Sequence, residues 1–263
     1  MPDVLVRGRR IAYAVKPLEF DGSDPAVVFI HGSGGDREDW RAQLDGLSPA
    51  LTAIALELPG HGKSEPPGET SVEAYTGWVV DFIEALGLQR TALVGCSLGS
   101  AVTQLAALSP RPWLKAIGLA GAGARLRVLP LLLQGLIEEP ESTLNAIREF
   151  CLSPSAPHFM RQGMKEKLAT VPADLFHKDF SACNGFDVMK HVHEIHLPTC
   201  IIVGADDKLT PVKYSQFLHD KISGSLLHVI PGAGHLVMIE KPRDFNRCLA
   251  EFFRDIGLTT CFS

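Results

Sequence analysis

No stretch of the 263-residue chain concentrates lysine and arginine, and its 25 basic side chains are outnumbered by 30 acidic ones, for a formal charge of −5. Nucleic acids and anionic membrane surfaces are recognised through clustered basic groups, so neither is expected as a partner, and a small neutral substrate is the simpler expectation. Long apolar runs are also missing. The longest, residues 126–137, is interrupted by Arg127, Pro130 and Gln134 and is too short to span a bilayer. Residues 1–14 mix Asp3 with Arg7, Arg9 and Arg10, which excludes the unbroken apolar core of a secretory signal and points to a cytoplasmic protein. No C-x-x-C occurs among Cys96, Cys151, Cys183, Cys200, Cys248 and Cys261, a scatter that fits reduced thiols better than a disulfide frame or a zinc site. There is no internal repeat or low-complexity tract. What is present is apolar material: 46% of the residues, enough for one large domain or a domain with a sizeable insertion.

Short β-rich runs at residues 11–16, 26–31, 51–57, 91–95, 116–120, 199–204 and 226–230 alternate with amphipathic helical patterns such as 72–86 and 245–256. That alternation predicts an α/β fold, a mainly parallel sheet covered by helices on both faces. The rhythm fails between residues 124 and 196, which carry helical signals and several prolines but no strand pattern. A structureless loop of such length is uncommon in a compact domain. The expectation is a helical cap of residues 124–196 inserted into a core of residues 1–123 and 197–263, with hinges at 122–125 and 197–198.

Gly95-Cys96-Ser97-Leu98-Gly99 matches G-x-S-x-G, a pattern that carries little weight alone. Its context adds the weight. Residues 91–94 read as a buried strand ending at the first glycine, and residues 100–108 as a helix beginning after the serine. Strand, sharp turn and helix together hold a serine hydroxyl above the sheet, and Ser97 is the candidate nucleophile. A serine hydroxyl needs a base within reach and a third group to orient that base. His235, on the glycine-rich loop 231–235 after the last strand, is the candidate base, since ligands bind at the carboxyl edge of such sheets. The acid is expected between them in chain order, and the strand 200–204 runs into two candidates, Asp206 and Asp207.

Acyl transfer builds charge on the former carbonyl oxygen, which backbone N–H groups stabilise. The strand-to-loop segment His31-Gly32-Ser33-Gly34-Gly35 can bring its backbone close to a ligand, so the N–H groups of Ser33 and Leu98 are the expected oxyanion donors, with Gly34 as the alternative to Ser33. Gly32 and Gly34 then border the substrate. His31 is read as a structural hydrogen-bonding residue.

Taken in order, His31-Gly32-Ser33-Gly34, residues 57–64 (Glu-Leu-Pro-Gly-His-Gly-Lys-Ser), the Ser97 motif, Gly204-Ala205-Asp206-Asp207 and Gly234-His235 resemble the α/β-hydrolase superfamily, especially its small capped serine esterases, over nearly the whole chain. The resemblance implies an eight-stranded sheet with the cap inserted after strand six. It also selects Asp207 as the acid by its spacing, three residues beyond Gly204 and four before Pro211, and leaves Asp206 to face solvent or cap the turn. Two positions depart from the pattern, Glu57 where Asp is usual and Ser100 where Gly is common; neither is expected to touch the catalytic groups. Related dehalogenases and epoxide hydrolases carry Asp at the elbow, which Ser97 argues against. Relatives that place the acid after strand six have no counterpart here, because residues 119–124 contain none.

Gly62-Lys63-Ser64 resembles the end of a P-loop, but Glu57 stands where that motif needs glycine and would repel a phosphate. The histidines of residues 191–196 are read as structural or surface groups, and Cys96 as pointing into the fold. The expected activity is hydrolysis of a small-molecule carboxylic ester of short to medium acyl chain, with neither metal nor organic cofactor, and with Leu129, Leu132, Leu133 and Leu136 lining an acyl pocket. A thioesterase or a carbon–carbon bond hydrolase would use the same triad, and a binding protein that kept the fold is the non-enzymatic alternative.

Overall fold

The computed structural model describes residues 2–48 and 50–259. The strands are β1 (Asp3–Val6), β2 (Arg9–Lys16), β3 (Pro25–Ile30), β4 (Thr52–Leu56), β5 (Arg90–Cys96), β6 (Leu114–Ala120), β7 (Thr199–Gly204) and β8 (Leu226–Ile230). They form one eight-stranded sheet in the order β1-β2-β4-β3-β5-β6-β7-β8. β1 with β2 and β2 with β4 are antiparallel; every other pairing is parallel. The sequence pattern located seven of these strands to within a few residues and did not mark β1.

Alternation along the strands builds a core on each face. Ala26, Val28 and Ile30 of β3 join Ile54 and Leu56 of β4 on one side, under helices α2 (Val72–Ala85), α3 (Leu98–Leu108) and α8 (Val212–Lys221). Val27 and Phe29 join Ala53 and Ala55 on the other, under α1 (Arg41–Leu47), α9 (Val237–Glu240) and α10 (Pro242–Asp255). In α10 the buried residues are Phe245, Cys248, Leu249, Phe252 and Phe253, the spacing of one helical face. Ser71 caps α2, its hydroxyl accepting the Ala74 N–H at 3.2 Å.

Four α-helices lie between β6 and β7: α4 (Pro130–Glu138), α5 (Pro140–Cys151), α6 (His158–Ala169) and α7 (Ala173–Gly185). Four of the prolines in this stretch, Pro130, Pro140, Pro157 and Pro172, start helices rather than break them, since each stands at or just before a first turn, where a missing N–H costs nothing. Leu136, Leu144, Ile147, Leu152, Met164, Leu168 and Phe176 form an apolar cluster of their own, and α7 packs on α2 and α3. No helix among the described residues is long and apolar enough to cross a membrane. Cys96, Cys151, Cys183, Cys200 and Cys248 are unbridged and buried; Cys261 lies outside the described residues.

Candidate active site

β5 ends at Cys96, and α3 begins at Leu98, so Ser97 occupies the turn between them with φ 53° and ψ −116°. A non-glycine residue held at positive φ stores strain that the surroundings must impose. They do so through close contact: a Cβ on Gly95 would stand 2.0 Å from the Gly99 carbonyl oxygen, and one on Gly99 2.2 Å from that of Ile30. Only glycine fits at either flank. The Ser97 N–H donates to the Ala120 carbonyl at 3.0 Å, and its own carbonyl accepts the Ser100 N–H and, at 2.6 Å, the Ser100 hydroxyl. Ser100 therefore does touch the elbow, contrary to the expectation for that position. Cys96 is buried in the core behind the sheet, and burial raises its thiol well above the ordinary range, so it stays protonated.

Asp207 and His235 are brought together across the loops that follow β7 and β8. Asp207 Oδ2 lies 2.9 Å from His235 Nδ1, with both side chains almost wholly buried. Thr210 completes the arrangement: its hydroxyl donates to the same Oδ2 at 2.8 Å and lies 3.1 Å from His235 Nδ1. The N–H groups of Leu209 and Thr210 both donate to Oδ1 at 2.9 Å. Burial by itself pushes the Asp207 carboxyl up. The His235 imidazole and the bonds from His235 and Thr210 outweigh burial and hold it below the usual carboxylate range. With Asp207 ionised, the 2.9 Å contact places the proton on Nδ1 and leaves Nε2 free to act as a base. Asp206 is turned elsewhere, accepting the Ser153 hydroxyl at 2.7 Å. The loop of His235 is pinned by Glu240, which accepts the N–H of Gly234 at 2.7 Å and that of Ser153 at 2.8 Å.

The glycine-rich loop after β3 is ordered from below. His31 Nδ1 donates to the Gly32 carbonyl at 2.8 Å, Nε2 accepts the Leu58 N–H at 3.1 Å, and Gly35 N–H adds a second bond to the Gly32 carbonyl at 3.0 Å. Burial, with the neighbouring His61, pushes His31 down to about 3, so it is the neutral structural residue expected. In a trans peptide the N–H points opposite the C=O, so anchoring the Gly32 carbonyl fixes the direction of the Ser33 N–H. Among the described residues the N–H groups of Ser33 and Leu98 meet no hydrogen-bond acceptor. The Leu98 N–H also opens α3, where the helix dipole favours negative charge. Gly34 is not available as the alternative, because its N–H donates to Asp179 Oδ2 at 2.8 Å. Glu57 serves the neighbouring loop, accepting the Lys63 N–H at 2.6 Å.

Ser33, Ser97, Phe180, Leu209 and His235 border two lobes of one cleft. The inner lobe, about 60 Å³, is lined further by Gly32, Ile147, Met164, Leu168, Phe176 and Leu236. Lys167 forms one wall, bridging Asp36 and Asp39 at 2.7 and 2.5 Å. The outer lobe, about 360 Å³, is bounded by Leu126, Val128, Leu129, Leu132, Phe150 and Tyr214, and Leu129 at 67% exposure shows how open it is. Leu129 and Leu132 thus reach the cleft; Leu133 borders neither lobe, and Leu136 is packed in the cluster between the helices. The histidine run 191–196 is elsewhere, with His191 paired to Glu194 on the surface.

Sequence reasoning missed Thr210, Glu240, Asp179 and the inner-lobe residues of α5 and α6. Thr210 carried a signal, a hydroxyl three residues after an aspartate, where it closes a local turn onto the carboxylate.

Residues 27–247 match the family model described as the Alpha/beta hydrolase family. The structure of a thermophilic esterase is 33% identical to this chain, covers 97% of it and 98% of its own length, and superposes with a TM-score of 0.86. The 3-oxoadipate enol-lactonase 1 of Acinetobacter baylyi is 24% identical over 88% of this chain and 90% of its own. The dihydrolipoyllysine-residue acetyltransferase component of the acetoin cleaving system of Cupriavidus necator is 28% identical over 93% of this chain, which spans only 66% of that longer protein. With an eight-stranded sheet, a serine elbow and a family match over most of its length, the chain belongs to the alpha/beta hydrolase family.

Proposed function

We propose that this hydrolase cleaves small carboxylic esters through an acyl-enzyme on Ser97, with His235 as general base and acid and Asp207 as its orienting carboxylate. The observation that carries the reading is that Ser97, held at φ 53°, and His235, bound to Asp207 at 2.9 Å, border the same two lobes. His235 Nε2 takes the Ser97 proton as the hydroxyl attacks the carbonyl, and the oxyanion rests on the N–H groups of Ser33 and Leu98. His235 then protonates the departing alcohol, and water repeats the sequence on the acyl-enzyme. No step needs a metal or an organic cofactor.

The lobes divide the substrate. An alcohol must leave while the acyl group is still covalently held, so the larger outer lobe takes the leaving group and the smaller inner lobe the acyl chain. At about 60 Å³ the inner lobe suits acyl groups of a few carbons, since about 10–15 Å³ of such space holds one water. The acyl pocket therefore lies under α5 and α6 rather than along α4, and residues 124–196 act as the cap that closes it over the core of residues 1–123 and 197–263.

Hydrolysis of p-nitrophenyl esters from acetate to palmitate, by wild type and Ser97→Ala in parallel, tests the reading. Turnover should peak at short chains and fall by several orders of magnitude in the variant, and a fluorophosphonate should label Ser97. Near-normal rates in Ser97→Ala would refute the mechanism, and an unlabelled Ser97 would favour a binding protein. Labelling without ester turnover would redirect the search to thioesters and carbon–carbon substrates.

A further inference from the structure

Asp179 is an acid on the apolar face of α7, in line with Leu175, Phe176 and Ala182, and it is completely buried. A lone buried carboxylate is costly, and hydrophobic packing alone would be served better by leucine. Its partners explain it. Tyr75 of α2 donates its hydroxyl to Oδ1 at 2.7 Å; His61, on the loop after β4, donates Nε2–H to Oδ2 at 2.9 Å; and the Gly34 N–H donates to Oδ2 at 2.8 Å. One side chain from between β6 and β7 thus grips three separate segments of the core, one of them the glycine loop next to Ser97.

We infer that Asp179 is a positioning residue that sets the oxyanion hole, by fixing the Ser33–Gly34 peptide from the cap side. The inference rests on the proposed role of the Ser33 N–H. The Gly32–Ser33 peptide is held by its carbonyl, through His31 and Gly35. The next peptide is held by the Gly34 N–H on Asp179. With both planes fixed, the torsions of Ser33 between them are fixed, and its N–H is aimed before substrate arrives. Removing the Asp179 bond frees one plane and leaves the donor to be ordered during the reaction, which is the reorganisation that a preformed oxyanion hole avoids.

The two histidines below the loop support the same arrangement. Both nitrogens of His61 face oxygens, Pro59 O at 3.1 Å and Asp179 Oδ2 at 2.9 Å, so the ring satisfies both only as the cation. That cation balances Asp179 and makes its bond to Gly34 one made to an ionised acceptor, of the stronger class. Its ring lies 4.7 Å from that of His31, where a second charge would be repelled. His31 therefore stays neutral, in the tautomer that grips the Gly32 carbonyl. A cap carboxylate and a core imidazolium together fix the peptides on both sides of Ser33, so the catalytic loop is complete only with α7 docked.

Asp179→Asn and Asp179→Ala, assayed on a short p-nitrophenyl ester, should lose roughly 10- to 100-fold in kcat with KM little changed, part of the loss expected from removing an oxyanion donor outright. Affinity for an alkyl boronic acid, which becomes tetrahedral on Ser97, should fall by the same factor as kcat. Ser71→Ala, which removes the α2 cap, supplies a destabilised control in which kcat and boronate affinity hold. Folded Asp179 variants with wild-type kcat, or with the loss confined to KM, would overturn the inference. Should those variants not fold, amide exchange in the wild type decides: a protected Gly34 N–H supports the inference, and exchange as fast as an exposed loop refutes it. Turnover surviving in Ser97→Ala would instead bring down the proposed function, whatever Asp179 does.

Discussion

Leu168→Ala should lengthen the acyl chain that the enzyme accepts. Leu168 is 5% exposed on α6 and borders the inner lobe, whose volume is about 60 Å³. Measured Leu→Ala costs spread over about 2.3 kcal/mol at about 24 cal/mol per Å³, so the space left behind reaches about 100 Å³. The lobe would then approach about 150 Å³, a size that accepts benzene in an apolar cavity. The lost side chain is worth about three methylenes, and at about 0.8 kcal/mol each their reburial by substrate amounts to about 2.4 kcal/mol, or about 50-fold in kcat/KM. The assay is the ratio of kcat/KM for p-nitrophenyl hexanoate over propionate, which should rise by up to that factor in the variant. Stability should fall by about 2–5 kcal/mol, because Leu168 also belongs to the cluster with Leu136, Leu144 and Ile147. Leu132→Ala, in the outer lobe, should leave the acyl ratio alone and alter only the response to the leaving group. An unchanged ratio in Leu168→Ala with Ser97 still labelled, or a shifted ratio in Leu132→Ala, would show that the lobes are assigned the wrong way round.

Asp207→Asn should lower kcat by about 10⁴-fold, since an amide no longer enforces the Nδ1–H tautomer of His235, whereas Asp206→Asn should stay near wild type because it loses only part of a bond to Ser153; the reverse pattern in steady-state kinetics would move the acid to Asp206. His61 provides a pH test. Burial pulls it down, but the charge and hydrogen bond of Asp179 outweigh burial and raise it above its ordinary value. Its contribution is therefore fully present below the unfolded value, about 6.5, and is lost as pH rises through the folded value. Urea unfolding across that alkaline range should show wild type losing stability faster than His61→Gln; parallel curves would deny His61 its bound proton.

Most of the sheet was legible because its strands are covered on both faces and read as short apolar runs. β3 is buried at all six positions and β4 at all five, and both stood out. β1 did not, because it is an edge strand of four residues with one buried, Val6, and its register against β2 is set by pairing rather than by a hydrophobic pattern. The helices between β6 and β7 were visible as a break in rhythm. Which of their leucines would face the cleft was not: α4 carries Leu132 to the outer lobe and Leu136 into the neighbouring cluster from one leucine-rich stretch.

The groups at the elbow and on the loops after β7 and β8 were legible for a different reason. Each sits in a local motif, and the turn chemistry that places it is written within a few neighbouring residues. Asp179 had half of such a signal: positions 175, 176, 179, 182 and 183 form the buried stripe of α7, and an acid in that stripe requires partners. The partners themselves stand 104, 118 and 145 residues away at Tyr75, His61 and Gly34. None of those distances leaves a mark in local periodicity. A carboxylate on an apolar stripe therefore announces from sequence that a long-range contact exists, and only the fold shows that the contact ends on the glycine loop that passes the nucleophile.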